Sequence, residues 1–323
     1  MIASLAQKVI KGKVSSQLDN NGIEFANIGI PNTNIGTISN NDGTFSLSVP
    51  LELQNDTILF SALGYHTRAV PLSLIDAEQP MLITLFDKVT ELETVTVYAR
   101  KEKKKTFWLG NKYHQGGHFY SDSIAGGAAM ALLIENKYPA YHKDLEFPVF
   151  VEKALLNISA NTLNEFKVRI RFLEVDSVTK LPGNDLLNEN VIVTSRMKNG
   201  WLTFDLSQYK FRIDQPVLFM VFEWILDDED RINLLNQYKQ YKTANPENVT
   251  LDTMVVRGEK VPYYNWRNFK AGTSFGVSPI PFSLNNYQCF YRRNSFGNWR
   301  RASAILTARL LVSDQPPKEI VRR

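Results

Sequence analysis

The sequence predicts an all-β protein built from two sandwich domains. Short apolar segments alternate with turn-forming clusters of Asn, Asp, Gly and Pro about every ten residues, which is typical of antiparallel sandwiches. One segment alone, Asp227–Tyr241, has the apolar spacing of a helix, and Asp227 or Asp228 can cap it. Because no apolar segment approaches the ~20 residues that a membrane helix needs, no transmembrane segment is predicted.

The composition is that of an ordinary globular protein. Hydrophobic residues make up 44% and charged residues 22% of the 323 residues, which argues against extensive disorder. The net charge of +4 is unevenly spread, because residues 1–99 contain five basic and ten acidic residues whereas Arg100–Lys105 contains five basic and one acidic. A nucleic-acid binder would instead show a basic stripe along one element. The sequence therefore predicts no nucleic-acid partner.

Composition and charge divide the chain into five segments. Residues 1–7 have the apolar and small residues that end a signal peptide, so they are either a signal-peptide remnant, which predicts export, or a frayed terminus. A first domain is predicted at 8–99, a basic linker at 100–106, a second domain at 107–312 and a disordered tail at 313–323.

The first domain is predicted from a succession of short strands. They are Val9–Val14, Phe25–Ile30, Phe45–Val49, Thr57–Ser61 and Met81–Leu85. Between the second and third of them lies the turn cluster Asn40–Gly43, whose Asp-Gly pair accepts the positive φ of a tight turn. This cluster predicts a β hairpin.

A motif of 15 residues runs through these strands and their turns. Its positions are Gly12, Val14, Phe25, Ala26, Asn27, Gly36, Thr37, Ser39, Asp42, Gly43, Phe45, Leu47, Phe60, Gly64 and Tyr65. The pattern resembles the carboxypeptidase-like regulatory domain over about residues 9–97. This resemblance implies a transthyretin-like, seven-stranded sandwich that is not itself catalytic.

The segment after this domain resembles a part of Gram-negative outer-membrane receptors of the TonB-dependent type. The similar residues are Glu91–Arg100. The resemblance implies a cell-envelope location in the periplasm or at the outer membrane. It does not imply transport, because the following residues lack the ~10-residue alternating strands of those receptors.

Strand patterns resume in residues 107–312. In the segment Lys167–Phe172, the basic residues Lys167, Arg169 and Arg171 share one face and apolar residues the other, which predicts a half-buried strand. The region Leu173–Leu187, a Gly-Trp turn at 200–206 and a strand around 222–224 are similar to the jelly-roll-type sandwich attached to such regulatory domains in envelope proteins. The resemblance implies a jelly-roll-like fold and no particular chemistry.

The sequence lacks the motifs of the common catalytic and metal sites. His114 and His118 flank two glycines, and no Glu follows His114 as a zinc protease would require. None of the histidines begins the H-x-x-E ligand pair of zinc carboxypeptidases, and no nucleophile elbow or phosphate-binding loop is present. Cys289 lies in an aromatic strand-like segment and is predicted to be a buried core residue. We therefore predict no catalytic residue, no metal and no cofactor.

A dense set of aromatic and arginine side chains forms the candidate partner or glycan surface. Its residues are Tyr263, Tyr264, Trp266, Arg267, Tyr291, Arg293, Trp299 and Arg300. Such residues dominate protein interfaces and stack on sugars, although alternation within a sandwich core also produces this pattern. The leading hypothesis is a non-catalytic envelope binding or scaffolding protein whose partner is an envelope protein or glycan. The alternative is a hydrolase that acts on envelope glycan or peptide through a site in the second domain. The pattern does not indicate an oligomeric state.

Overall fold

The computed structural model describes residues 7–88, 103–113, 116–120, 126–135, 142, 144–256, 259–279 and 288–317. The side chains of residues 254–263 also lie outside the described part. The predicted signal-peptide remnant falls outside it except for Gln7, as do the beginning of the predicted linker and the end of the predicted tail.

The described residues form 24 strands and one α helix. The first domain contains β1 (Gln7–Ser16), β2 (Asn27–Gly29), β3 (Gly36–Ile38), β4 (Thr44–Pro50), β5 (Thr57–Ser61), β6 (Arg68–Pro71) and β7 (Met81–Leu85). The second begins with β8 (Thr106–Gly110), β9 (Gly117–Tyr120), β10 (Ala129–Glu135), β11 (Val149–Asn161), β12 (Phe166–Val175), β13 (Pro182–Asp185), β14 (Val191–Ser195), β15 (Gly200–Asp205), β16 (Arg212–Ile213) and β17 (Val217–Ile225). It continues with α1 (Asp228–Ala244), β18 (Val249–Val256), β19 (Glu259–Trp266), β20 (Thr273–Pro279), β21 (Cys289–Arg292), β22 (Arg300–Arg301), β23 (Ala304–Leu306) and β24 (Ala308–Ser313).

The first domain is a sandwich of two small sheets. One has the strand order β4-β1-β7 and the other β3-β2-β5-β6. Strand β1 pairs antiparallel with β4 and parallel with β7. Between the sheets lies a buried apolar cluster that includes Val14, Ile28, Phe45 and Phe60. The predicted seven-stranded sandwich is confirmed.

The turn at Asn40–Gly43 forms, but the predicted hairpin is wrong. The Gly43 amide donates to the Asn40 carbonyl at 3.0 Å, and Gly43 has φ +83°. Strand β3, before the turn, pairs with β2, whereas β4, after it, pairs with β1 in the other sheet. The turn is therefore a corner between the two sheets, because turn residues set local backbone angles and do not choose the partner of the strand that follows.

The second domain is also a sandwich, with antiparallel pairing throughout. One sheet has the order β13-β12-β17-β10-β21-β22 with β14 on β12, and the other β23-β20-β11-β24-β8 with β15 and β16 on β11 and β9 on β20. In the core, the Trp224 ring stacks on Phe275 with ring centroids 3.7 Å apart. Its indole nitrogen donates to the Thr273 carbonyl at 2.8 Å. The second sandwich is confirmed, and its jelly-roll type stays a prediction.

The one α helix of the described residues lies where the sequence predicts it. Asp227 caps it, because the Asp227 carboxylate accepts a 3.0 Å hydrogen bond from the Asp230 amide. After α1 comes the two-stranded hairpin of β18 and β19, and both elements are inserted between β17 and β20. The α1 helix, like every described helix, is too short or too polar to cross a membrane.

Two domain boundaries of the second sandwich differ from the predicted ones. Strand β8 begins at Thr106, inside the predicted linker, because it pairs with β24. Strand β24 runs through Ser313, the first residue of the predicted tail. The Ser313 side chain is buried and its hydroxyl contacts Glu152 and the Gln315 carbonyl. These contacts extend the ordered part of the chain at least one residue beyond 312.

Candidate functional site

A row of charged side chains crosses one face of the second domain. Glu223 lies near the C-terminal end of β17 and is fully buried. Arg169 is its partner on β12, while Ala129 on β10 pairs with Glu223 on one side and Arg292 on the other. Directly paired residues point to the same face of a sheet. Arg169, Glu223, Ala129 and Arg292 therefore form one continuous row.

The Glu223 carboxylate forms ion pairs with three arginines. The Glu223 oxygens lie 3.5 Å from Arg169 Nη1, 3.7 Å from Arg171 Nη1 and 4.0 Å from Arg292 Nη2. Arg171 has a second partner, because Asp185 accepts hydrogen bonds from its Nε at 2.9 Å and its Nη2 at 2.7 Å. The cluster thus contains three guanidinium groups and two carboxylates, which leaves one positive charge in excess.

The first domain covers this charged row. Arg169 Nη2 donates to the Phe25 carbonyl at 2.6 Å. The Ser295 hydroxyl lies 2.7 Å from Asn27 Oδ1 and 3.1 Å from Glu223 Oε1. Lys167, Arg169 and Arg171 share a face as predicted, but the expectation of a half-buried strand is wrong for Arg169, which is 3% exposed. The covering domain replaces solvent there.

An apolar contact accompanies the charged row at the same interface. Phe25 and Ile38 of the first domain form a buried cluster with Ile225, and Ile192 packs against it. Polar and apolar contacts together make this a continuous junction between the two sandwiches. Burial of such surface contributes on the order of 25 cal/mol per Å².

Burial sets the ionisation of the arginines in this row. It lowers the pKa of Arg169 and lowers that of Arg292 to about 10, with Glu223 opposing the shift in both cases. It acts in the same direction on Arg171, but the charges and hydrogen bonds of Asp185 and Glu223 outweigh it and the pKa of Arg171 is raised. Of the three arginines, Arg292 lies farthest from the Glu223 carboxylate.

Arg292 also lines a cleft between the two domains, which we call the interdomain cleft. It is partly open to solvent and is lined by Asn32, Thr33, Asn34, Tyr291, Arg292, Arg293, Asn298 and Arg300. Its two walls are tied together, because the Asn32 amide donates to the Phe296 carbonyl at 3.1 Å and Asn294 Nδ2 donates to the Thr33 carbonyl at 3.0 Å. None of the eight lining residues is acidic. Guanidinium and amide donors at one place suit an anionic ligand.

The predicted partner or glycan surface divides into two groups on different elements. Tyr291, Arg293 and Arg300 line the interdomain cleft, and the Trp299 ring lies beside it, 4.7 Å from the Arg292 guanidinium. The second group, on β19 and just after it, is a separate cluster.

Aromatic stacking builds the second group. Trp266 packs on Tyr238 of α1 with ring centroids 4.8 Å apart, and Lys242 Nζ lies 4.1 Å from the centroid of the Tyr264 ring. The Arg267 carbonyl accepts a 2.7 Å hydrogen bond from the Tyr241 hydroxyl. The Tyr263 side chain lies outside the described residues. These residues fasten the β18–β19 hairpin to the helix.

A family comparison identifies the domain that forms one wall of the cleft. Residues 10–97 match the CarboxypepD_reg-like domain. The predicted resemblance is confirmed, and the CarboxypepD_reg-like family suggests a non-catalytic binding role. A search of curated proteins finds no match to the chain.

Some motif residues of the CarboxypepD_reg-like domain face its neighbour. Phe25 and Asn27 contact the charged row, and the Thr37 hydroxyl accepts a 2.7 Å hydrogen bond from Arg231 Nη1. The motif therefore supplies both the core of the first domain and part of its junction with the second.

Sequence reasoning missed Glu223 and therefore did not predict that Arg169, Arg171 and Arg292 would gather around it. The available signal was Glu223 itself, a single carboxylate within the otherwise apolar strand β17. A carboxylate is rarely buried without a charged partner. A Glu at this position therefore indicates basic side chains on the neighbouring strands.

Cys289 and the possible metal-binding side chains were the other candidates for a reactive site. Cys289 is fully buried, and burial raises the pKa of its thiol to about 12, so it stays protonated as the predicted core residue. Within the described ranges, no three His, Cys, Asp or Glu side chains lie close enough together to hold a metal ion. His114 lies outside the described residues.

A buried acidic pair lies at the start of α1. Lys167 Nζ is 2.9 Å from Asp227 and 3.2 Å from Asp230. Burial and the negative charge of Asp227 raise the pKa of Asp230 to about 6, against the attraction of Lys167. Next to the pair, Asp228 accepts a 2.9 Å hydrogen bond from Asn40 of the CarboxypepD_reg-like domain. The pair therefore caps the helix and lies beside the junction of the domains.

The Asp230 carboxyl makes a testable contribution to the pH dependence of stability. Its folded pKa of about 6 exceeds the ordinary value of 3.8, so the folded state binds the proton more tightly. Protonation of Asp230 therefore stabilises the folded state. This stabilisation is fully present below pH 3.8 and is lost as the pH rises through about 6. The unfolding free energy of Asp230→Asn minus that of the wild type should therefore be more positive at pH 7 than at pH 4. Urea unfolding at both pH values measures this difference, and equal differences at the two would contradict the assignment.

Proposed function

We propose that the protein is a non-catalytic binding or scaffolding protein of the cell envelope and that it binds its ligand in the interdomain cleft. The observation that carries this proposal is the convergence of Arg292, Arg293 and Arg300 with three asparagines on one cleft without a carboxylate. General acid–base hydrolysis of a glycan uses a pair of carboxyl groups, which the lining does not provide. The arginine and asparagine side chains of the cleft are hydrogen-bond donors, which suit the binding of a ligand.

Two further observations support this function. The match of residues 10–97 to the CarboxypepD_reg-like family suggests binding rather than catalysis. The buried junction, with Glu223 and Arg169 at its centre, holds the two cleft walls in fixed positions. A pre-formed site loses less entropy on binding than one that must be ordered. Export to the periplasm or outer membrane is part of the proposal and is supported by the sequence resemblances.

Among the described residues, the Asp227–Asp230 pair is the candidate acid and base for the alternative of a hydrolase. Two carboxyl groups with different pKa values are the usual sign of an acid and a base. Here, however, Asp227 caps α1, and both carboxylates pair with Lys167. These contacts account for the pair by a structural role, so we favour the binding function.

Cosedimentation with purified envelope material tests the proposal. Wild-type protein should sediment with purified peptidoglycan or with outer-membrane vesicles. The double variant Arg293→Ala/Arg300→Ala should bind at least about tenfold more weakly, because each lost charged donor is worth roughly 1.5–3 kcal/mol. Arg301→Ala is the matched control, since Arg301 neighbours Arg300 on β22 and is equally exposed but does not line the cleft.

The same preparations separate the function from its alternative. Wild-type protein that stays in the supernatant with both materials would refute binding to the envelope. Time-dependent release of soluble sugar or peptide fragments would establish the hydrolase instead. Fractionation of cells that express the gene with its upstream region tests the location, and purely cytosolic protein would contradict export.

A further inference from the structure

Arg292 is buried without the partners that a buried cation needs. It is 8% exposed, and its Nε and Nη2 atoms have no hydrogen-bond partner among the residues that the structure describes. Its nearest carboxylate is Glu223 at 4.0 Å, which is beyond hydrogen-bond distance and is shared with Arg169 and Arg171. A buried unpaired donor on a charged group costs several kcal/mol, and such groups are normally satisfied. Among the described residues, Arg292 therefore has no carboxylate within hydrogen-bond distance.

Arg292 is part of the wall of the interdomain cleft. Two exposed arginines, Arg293 and Arg300, line the same cleft and add two further guanidinium groups. Asn32, Asn34 and Asn298 add amide donors. On the other side of Arg292, the Trp299 ring covers the guanidinium and offers no acceptor for its N–H groups.

We propose that the interdomain cleft is a phosphate-binding site, in which a phosphate group compensates the excess positive charge at Arg292. This inference rests on the proposed binding function and names the chemical class of its ligand. Guanidinium groups bind phosphate oxygens in pairs of parallel hydrogen bonds, and three of them match a dianion better than a single carboxylate. The cleft is partly open, so a phosphate group held by its arginines leaves the rest of a larger ligand in solvent.

The ligand reaches across the junction of the domains. Asn32, Thr33 and Asn34 belong to the CarboxypepD_reg-like domain, whereas the arginines belong to the second sandwich. Phosphate bound to both walls stabilises their contact, because a ligand that binds only the assembled cleft favours that arrangement. The binding is therefore coupled to the junction itself.

Isothermal titration calorimetry of the full chain with inorganic phosphate tests the site. The titration is made at constant ionic strength, with sodium chloride as the balancing salt, and is repeated with acetate. We expect saturable binding of phosphate, an affinity for acetate at least about tenfold weaker, and a rise in melting temperature with phosphate. Arg300→Ala should weaken phosphate binding about tenfold, the loss of one charge-assisted hydrogen bond. Arg301→Ala should leave it unchanged.

Several results would overturn the inference. They are the absence of saturable phosphate binding, equal affinities for phosphate and acetate, and equal losses in Arg300→Ala and Arg301→Ala. Both substituted side chains are exposed, so neither variant depends on the buried cluster for folding. Arg292→Lys gives a second test in which a folded variant, verified by circular dichroism, should lose phosphate affinity at least as strongly as Arg300→Ala.

A titration with a sugar phosphate identifies the source of the phosphate group. Glucose 6-phosphate in place of inorganic phosphate distinguishes the source of the group, because tighter binding of the sugar phosphate indicates a phosphorylated glycan and tighter binding of inorganic phosphate indicates the free ion. Failure of this inference differs from failure of the proposed function. Envelope binding that depends on Arg300 without phosphate affinity refutes only the phosphate, whereas phosphate affinity without envelope binding refutes only the envelope function.

Discussion

Replacement of Glu223 by Gln is expected to destabilise the folded protein by about 3–5 kcal/mol. The side chain is fully buried and is the shared counter-charge of Arg169, Arg171 and Arg292. Glutamine keeps the volume and one hydrogen-bond acceptor, but it removes the negative charge. Asp185 then remains as the one carboxylate paired with this group of three guanidinium ions. Uncompensated charge in a buried position is the largest electrostatic penalty that a single substitution can produce here.

Equilibrium unfolding in urea measures the effect of Glu223→Gln. The matched control is Glu165→Gln, because Glu165 also pairs with an arginine, at 3.1 Å, but its side chain is 41% exposed and that of Arg196 is 82% exposed. An exposed pair of this kind contributes less than about 1 kcal/mol. Equal losses in the two variants would show that Glu223 does not hold the cluster together.

The sequence predicts the strand around Glu223 but not its surroundings. Apolar alternation correctly places Val168 and Ile170 on one face of β12 and Arg169 and Arg171 on the other. Alternation describes one strand, however, and solvent and a second domain are both compatible with a basic face. The side chain of Arg169 became buried because Phe25, far away in the chain, presents its carbonyl to it. A contact between distant segments leaves no periodic signal in either of them.

The candidate site shows the same limit. Aromatic and arginine density directs attention to Tyr291, Arg293 and Arg300, which the structure brings to one cleft. The other wall of that cleft is a loop of asparagines and threonine at 32–34, whose composition is that of any surface turn. Its role depends on the packing of two domains rather than on its residue types. The aromatic residues near 264 share the composition of the cleft residues but fasten a hairpin to α1 instead.

Gly127→Ala is expected to destabilise the protein by roughly 3 kcal/mol, the sum of a backbone and a packing penalty. Gly127 has φ +82°, where a side chain costs about 1–2 kcal/mol. A Cβ atom there would lie 1.8 Å from the Ser295 hydroxyl and 2.9 Å from Glu223 Oε1. Ser295 would have to move, and its contacts with Asn27 and Glu223 would be lost with it. The substitution therefore strikes the centre of the domain junction.

Gly116→Ala separates the two penalties of the Gly127 variant. Gly116 has a similar φ of +74°, but an added Cβ atom meets nothing within 4 Å. This control should cost only the backbone penalty of about 1–2 kcal/mol. The difference between the two variants in unfolding free energy, measured in urea, then reports the crowding at Ser295 alone. Equal unfolding free energies would mean that Ser295 can move without destabilising the protein. Because Ser295 lies next to Asn294, which ties the cleft walls together, a rigid junction also requires Gly127→Ala to lose phosphate affinity while Gly116→Ala retains it.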